Sequence, residues 1–446
     1  MRFFLPGVHV PHRKTTADMP PVRMPAPSEV VIPMSMHIGK PAIPVVSVGD
    51  QVFVGTLIAN KDGFISSPIY SSVSGKVKAI SEVTLPSGAK TLAVKIESDG
   101  EMTVDPAIKP PVVTTKEELV AAIAESGTVG LGGAGFPTYV KFSIPEGKSA
   151  DTLIINGAEC EPYITSDTRT MIDKSDDMLR GISIICDLMD IKRVIIGIEC
   201  NKKAAIEKMR ELAAKRPEIE VSVLPAVYPQ GGEKVLIYHT TGRVVPAGKL
   251  PIDVGCIVSN CTTVAAIGNY VNTGIPLVSK CVTVAGGAMR EPKNVIVPIG
   301  TRISEVFEFA GGFSEQPYGI ILGGPMMGYT VDNTDVSVVK GTNALLALTE
   351  KEMKPKKETA CIHCGACANH CPFGLNPAAF MKAYRLGNVD ELARLRVDIC
   401  MECGCCSFIC PAAKPLVETN KLSKAKLRAH LEEKKKIAEA SAEAKK

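Results

Sequence analysis

The pattern C-x2-C-x2-C-x3-C-P occurs twice in this chain, at Cys361, Cys364, Cys367, Cys371 and Pro372, and again at Cys400, Cys403, Cys406, Cys410 and Pro411. No other stretch constrains the fold as tightly. Three thiolates at x2 spacing reach three irons of one 4Fe-4S cube, and the fourth, set off by x3 and a proline, ordinarily ligates the other cube of a two-cluster module. This assigns Cys361, Cys364, Cys367 and Cys410 to one cluster, and Cys400, Cys403, Cys406 and Cys371 to the second. The alternative is a pair of zinc sites or buried structural thiols. Zinc signatures usually pair two C-x2-C arms across a longer gap, so two cubanes are the favoured expectation. Cys405 reads as a bystander. Two such clusters imply the movement of single electrons.

The chain has 446 residues, 45% apolar and 22% charged, enough for several cores and about three domains at ~150 residues each. A net charge of +4 is too small to suggest a nucleic-acid partner, and no basic stretch is interleaved with stacking aromatics. The opening MRFFLPGVHVPHRK breaks its apolar run with Pro and Gly, and nowhere is there the ~18-residue apolar run of a membrane span. Neither secretion nor membrane crossing is expected. The remaining cysteines, Cys160, Cys186, Cys200, Cys256, Cys261, Cys281 and Cys405, show no disulfide spacing, and clusters need reduced thiols, which points to the cytoplasm.

Residues 1–29, rich in Pro, His and Arg, read as an extended arm packed on the body, with His9 and His12 as surface histidines. From Val30 short β-rich runs separated by turn residues (VVSVGDQVFVGTLIA, SPIYSSVSGKVKAI, TLAVKIES) describe a small all-β unit. These phrases resemble the barrel-sandwich hybrid fold of lipoyl and biotinyl carriers. Lys61, in NKDG, lacks the neighbours of a carrier lysine, so the barrel is expected to be structural. Residues 115–240 alternate helical and strand patterns, which implies right-handed crossovers and a largely parallel sheet whose ligands sit at the carboxyl ends of the strands.

Two loops in that region carry chemistry. GLGGAGFPTYVK has glycines at Gly130, Gly132, Gly133 and Gly135 and ends at Lys141. Glycines let the backbone turn its N–H groups toward an anion, with no Cβ to block close approach, so a phosphate or pyrophosphate is the natural guest; a tight turn alone is the plainer reading. The second loop, NGAECEP, runs from Asn156 to Pro162.

Taken together, these two loops resemble the flavin- and NADH-binding subunit of respiratory complex I. YPQGGE (Tyr228 to Glu233) and NCTT (Asn260 to Thr263) resemble that family's next two motifs, in the same order. Leu131, Ala158 and the thinned NCTT depart from its pattern. The resemblance implies FMN and NAD(H) bound by Gly130, Gly132, Gly133, Ala134, Gly135, Phe136, Lys141, Asn156, Glu159, Glu161, Tyr228, Gly231, Gly232, Glu233, Asn260 and Thr263. Within that set, Phe136 stacks near the nicotinamide, Asn156 and Asn260 hydrogen-bond the flavin, and Glu159, Glu161 and Glu233 line the cavity. Residues from 275 to 330 look like the β-grasp domain of the same family. GGPMMG, at 323–328, is expected to be a structural turn.

Two full cluster motifs, with a barrel leading the chain, resemble the C subunits of the Rnf complex, a membrane-bound ferredoxin:NAD oxidoreductase coupled to ion pumping. The implied architecture is multidomain α/β: an arm at 1–29, a barrel-sandwich hybrid at 30–112, a Rossmann-like FMN/NADH-binding α/β domain at 113–272, a β-grasp domain at 273–345, and an α-helical ferredoxin domain with two clusters at 346–420. A charged helical or disordered tail at 421–446 follows, which an anionic membrane surface could attract. The implied setting is peripheral, on the cytoplasmic side of the cell membrane. Implied partners are other subunits of a membrane complex, with ferredoxin or an iron-sulfur subunit as electron donor or acceptor. The competing readings are a relay whose flavin site has decayed and a soluble reductase akin to cobalamin reductases.

Overall fold

The computed structural model describes residues 5–443. Its centre is a four-stranded parallel sheet in the order Ile219–Leu224, Arg193–Glu199, Thr152–Gly157, Cys256–Asn260. TLIING, RVIIGIE and CIVSN are almost continuously apolar because both faces of a parallel sheet are covered. Leu153 and Ile155 enter one core with the helices Ser175–Met189 and Cys261–Thr273, while Ile154 enters the opposite core with Leu236 and Ile237. Those two helices cross at Gly181 and Gly268, where a β-carbon would overlap the backbone oxygens of Val264 and Asp177. In chain order the strands lie 3-2-1-4, so the direction of winding reverses between Thr152–Gly157 and Cys256–Asn260, and a ligand crevice is expected beyond their carboxyl ends.

Ahead of this sheet, the strands Glu29–Pro33, Lys90–Ser98, Gly75–Thr84 and Gln51–Val52 face a smaller sheet of Ile43–Pro44, Leu57–Asn60 and Ile69–Tyr70. Alternate residues Val30, Ile32, Val94 and Ile96 fill the core between them. After the parallel sheet, a six-stranded mixed sheet runs Val22–Arg23, Lys293–Pro298, Ser279–Ala285, Ala344–Leu348, Gly319–Leu322, Tyr329–Val331, with the helix Ile303–Phe309 packed on it. The arm thus supplies an edge strand to a sheet some 270 residues further along, in parallel register with Val295 and Ile296.

Lys340 pins three units together. Its buried Nζ donates to Ser67 Oγ, Pro68 O and Gly127 O at 3.0, 2.7 and 2.7 Å, and burial pushes its pKa down to about 7. The cysteine-rich segment carries the helices Pro377–Arg385 and Val389–Arg394 around Phe380, Leu392 and Val397. The helix Leu416–Glu443 starts inside this core at Leu416, Asn420 and Leu427 and continues outward as a solvated lysine-rich rod. The expected boundary at 420 falls within it, and residues 444–446 lie outside the described part. No helix among the described residues is long and apolar enough to cross a membrane.

Candidate functional site

The carboxyl ends of the two strands at the winding reversal are Asn156 and Asn260, paired in register with each other. Asn260 caps the helix Cys261–Thr273: its Oδ1 accepts from the N–H groups of Thr262 and Thr263, and its Nδ2 donates to Asp167. Nδ2 of Asn156 donates to Gly231 O at 2.9 Å, which ties NGAECEP to YPQGGE. Both amides are therefore committed to protein partners. Glu159, with φ of 47°, turns its carboxylate back to accept from the N–H groups of Asp167 and Thr168 and from Thr168 Oγ1 at 2.5 Å. Thr263 accepts from Leu131 N–H and donates to Val129 O, and buried Lys280 reaches Leu131 O, so the glycine loop is held from behind by three contacts.

In front of these elements opens a cleft of about 1110 Å³. Gly132, Gly133, Ala134, Gly135, Asn156, Glu159, Glu161, Tyr228, Gly231, Gly232, Glu233 and Asn260 line it. Gly130, Phe136, Lys141 and Thr263 do not. Gly130 closes the loop by donating to Phe136 O, and Lys141 donates to Glu233 Oε1 at 2.7 Å and to Val258 O, so its charge reaches the cleft only through a carboxylate. GGPMMG also faces the cleft, but its Met326 N–H is taken by Glu161 Oε2 at 3.0 Å. That bond gives the loop a protein carboxyl as its acceptor. Burial pushes the Glu161 carboxyl up to about 7.

The residues fit a phosphate-bearing, partly polar guest. Nothing lies within 4 Å of the position a Gly133 β-carbon would take, so the loop backbone stands open to the cavity. Among the described residues the hydroxyl of Tyr228, which is 2% exposed, has no partner, and neither does Glu161 Oε1. Burial raises the Tyr228 phenol well above its ordinary range, so it stays a neutral donor.

The inner end of the cleft reaches the cysteine motifs. Met401, between Cys400 and Cys403, lines it, and its methyl group fills the place a Gly232 β-carbon would occupy. Tyr228 packs with Cys403, Cys405, Val8 and Val10. Beyond lies a small cavity bounded by Cys371, Cys400, Cys403, Cys405 and Cys406, with Cys371 coming from the first motif. Among the described residues no three His, Cys, Asp or Glu side chains stand close enough to share a single metal ion, so these cysteines ring a space and do not converge on a point. Asn420 Nδ2 donates toward the sulfurs of Cys400 and Cys406 at 3.6 and 3.9 Å. Cys367 and Cys410 pack on Met381, Leu416 and Val417, and Cys361 and Cys364 lie nearer the surface.

Sequence reasoning missed several residues here. Lys14 of the arm donates to the carbonyls of Glu159, Glu161 and Ile164 at 2.9, 2.9 and 2.6 Å, clamping the NGAECEP loop. Burial lowers its pKa, and the adjacent Glu159 opposes that shift. Nothing in an aperiodic arm signals such a role. Met401 was legible, since it sits inside a C-x2-C pair, and Asp167 follows Glu159 by a fixed offset.

Fold and site together define an electron-transfer protein in which a flavin-type nucleotide cleft abuts an iron-sulfur segment. Family models agree segment by segment: RnfC barrel sandwich hybrid domain at residues 3–101, Nuo51 FMN-binding domain at 123–269, SLBB domain at 281–330 and 4Fe-4S dicluster domain at 358–413. The chain is 44% identical over 382 residues to the C subunit of the proton-translocating ferredoxin:NAD(+) oxidoreductase complex of Clostridium ljungdahlii, covering 85% of this chain and 83% of the relative. Identity is 42% over 380 residues to the C subunit of the Na(+)-translocating ferredoxin:NAD(+) oxidoreductase complex of Acetobacterium woodii, covering 84% and 85%. It is 40% over 427 residues to the C subunit of the ion-translocating oxidoreductase complex of Rhodobacter capsulatus, covering 94% and 82%. The chain belongs to this family, the C subunits of the ion-translocating ferredoxin:NAD(+) oxidoreductase complexes. A chain of the air-oxidised NAD+-reducing [NiFe]-hydrogenase shares the fold over 70% of this chain and 63% of that one, with a TM-score of 0.50 and 18% identity.

Proposed function

We propose that this protein is the peripheral subunit that exchanges electrons between NAD(H) and the rest of a membrane-bound ferredoxin:NAD(+) oxidoreductase, with FMN in the cleft and two 4Fe-4S clusters on the cysteine motifs. The observation that carries this reading is that one cleft is lined both by the open glycine loop and by Met401, which Cys400 and Cys403 flank. When bound, FMN accepts a hydride's two electrons from NADH and releases them one at a time to iron-sulfur centres.

The chain's own residues prepare that exchange. Backbone N–H groups from Gly132 to Gly135 present a concave, Cβ-free surface to a phosphate. Asn156 and Asn260 line the cleft and also fix its loops, through Gly231 and Asp167. The Tyr228 hydroxyl remains free to donate, and with Met401 its ring fills the space between cleft and second motif, which keeps water out of that path. The presence of Cys371 beside the second motif's cysteines supports the crossed ligand sets, Cys400, Cys403, Cys406 and Cys371 for one cluster and Cys361, Cys364, Cys367 and Cys410 for the other, with Cys405, which lines the same cavity, outside the spacing. Asn420 Nδ2 donates toward the sulfurs of Cys400 and Cys406, a contact that would tune the potential of a cluster held there.

The domain limits given above, the cytoplasmic side of the membrane, and ferredoxin or an iron-sulfur subunit as the single-electron partner belong to the same proposal; the relatives' names support the ferredoxin partner. A soluble cobalamin reductase or a flavin-free relay finds no support among those names. The test is mild acid release from the purified chain. Stoichiometric FMN in the supernatant, with NADH bleaching the bound chromophore beforehand, is expected; a chain that never binds flavin sinks the reading.

A further inference from the structure

The glycine loop and the Met401 end account for only part of the cleft. At about 1110 Å³ it exceeds the space that a single small-molecule site usually provides, and its outer end is built by elements from outside the α/β domain. There the hairpin of Gly75–Thr84 and Lys90–Ser98 contributes Val83, Leu85, Pro86 and Lys95, and the six-stranded sheet's flank contributes Arg302. Val94 and Ile96 point into the barrel core, so alternation turns Lys95 to the outer face beside Val31, its register partner, which lines the cleft as well. Lys95 makes no side-chain hydrogen bond or ion pair among the described residues. Arg302 Nη2 bonds Glu29 at 2.7 Å while the side chain stays 38% exposed, leaving part of its donor fork free. The carboxylates around Arg302 are Glu29, already paired, and Glu305, and Asp335 also lines the cleft.

We propose that this outer end is the subsite for the adenosine diphosphate ribose half of NAD(H), with Lys95 and Arg302 facing its pyrophosphate. The inference rests on the flavin reading above. A dinucleotide whose nicotinamide reaches the inner cleft must extend its other half outward, and the direction left open runs between barrel and mixed sheet. The pyrophosphate is doubly anionic, and both cations line the cleft, Lys95 from the barrel hairpin and Arg302 from the mixed-sheet unit. The barrel thereby becomes part of the nucleotide site and no mere support.

The test uses the purified chain with its flavin and clusters. Binding of ADP-ribose is measured by calorimetry, and NADH and reduced nicotinamide mononucleotide, which lacks the adenosine phosphate half, are compared as donors to ferricyanide. Lys95→Ala and Arg302→Ala are each expected to weaken ADP-ribose binding and raise KM for NADH roughly ten- to a hundredfold, the scale of one charge-assisted contact. Flavin content, kcat and KM for the mononucleotide should stay at the parent's values. Lys76→Ala, which removes a charge from the same hairpin outside the cleft, should change none of these. Unchanged ADP-ribose binding in both variants overturns the proposal, as does a parallel loss for NADH and the mononucleotide. Failure of the flavin reading itself shows earlier and separately, as a parent protein without flavin.

Discussion

Asn260 and Asp167 face each other at the carboxyl end of the parallel sheet, amide Nδ2 donating to carboxylate Oδ2 at 2.7 Å. The opposite atom of the same amide caps a helix, and the other oxygen of the same carboxylate accepts from Thr262 Oγ1 at 2.6 Å. Because Asp167 also donates its N–H to Glu159, the pair binds the second and fourth loop motifs into one rigid floor.

Truncating Asn260 to alanine removes the cap, worth ~0.5–2 kcal/mol, and strands the Asp167 carboxylate. Asn260→Asp keeps an acceptor for the helix but sets two carboxylates together. Thermal unfolding followed by circular dichroism should show both variants destabilised, with Asn260→Asp recovering as the pH falls and Asn260→Ala not recovering. Identical pH behaviour of the two would remove the Asp167 contact from the account.

Cys371 lies in the first motif and lines the cavity of the second. Iron analysis of the parent should return ~8 irons per chain for two cubanes. In Cys371→Ala, paramagnetic spectra should lose the signal of the cluster held by Cys400, Cys403 and Cys406 while keeping the other. Loss of the first-motif signal alone would show that the ligand sets are not crossed.

Lys14→Met keeps the length and apolar stem of the side chain but leaves three carbonyls without their donor. A charged hydrogen bond contributes ~1.5–3 kcal/mol, so a loss of at least that size is expected. It should fall on the Glu159–Ile164 loop: flavin dissociation accelerates and iron content stays at the parent's level. A variant as stable as the parent, with unchanged flavin dissociation, would show that the arm is no clamp.

How much of this was legible in the sequence depends on the range of the interaction. The cluster cysteines and the strands TLIING and RVIIGIE declare themselves through spacing and continuous apolarity, both local properties. The glycine loop and the asparagines at 156 and 260 were also visible, but their division of labour was not. Residue type suggested ligand contacts for Asn156, Asn260 and Lys141, and the fold also gives each a protein partner, far away in sequence. Lys14, Lys340 and Lys95 escaped notice because a lone lysine in a polar stretch looks solvated until tertiary packing places it.

Gly133 puts the glycine loop to the test. Its backbone is in an ordinary conformation with free space before it, so Gly133→Val strains nothing in the protein and projects an isopropyl group into the cleft. The variant should fold, keep both clusters, and lose most bound flavin. Stoichiometric flavin together with the parent rate of NADH oxidation would show that the loop is only a turn.

Glu161 joins NGAECEP to GGPMMG, and its titration should be readable in stability. Burial pushes the carboxyl from its ordinary 4.5 up to about 7, against the pull of the Met326 and Met327 N–H groups. The native state therefore holds a proton that the unfolded chain releases earlier, the reverse of a salt-bridged carboxylate. Its contribution to stability is fully present below 4.5, declines as pH rises toward about 7, and is level above that. The decline should approach ~1.4 kcal/mol per pH unit within the window. Glu161→Gln retains an oxygen to accept from Met326 and cannot ionise, so it should lose this component of the slope. Denaturant unfolding of parent and variant at matched pH, read from the far-ultraviolet signal, measures the difference. Equal slopes through the window would mean that Glu161 titrates as an ordinary carboxylate and that its bond to the GGPMMG loop does not hold it in the apolar cleft wall.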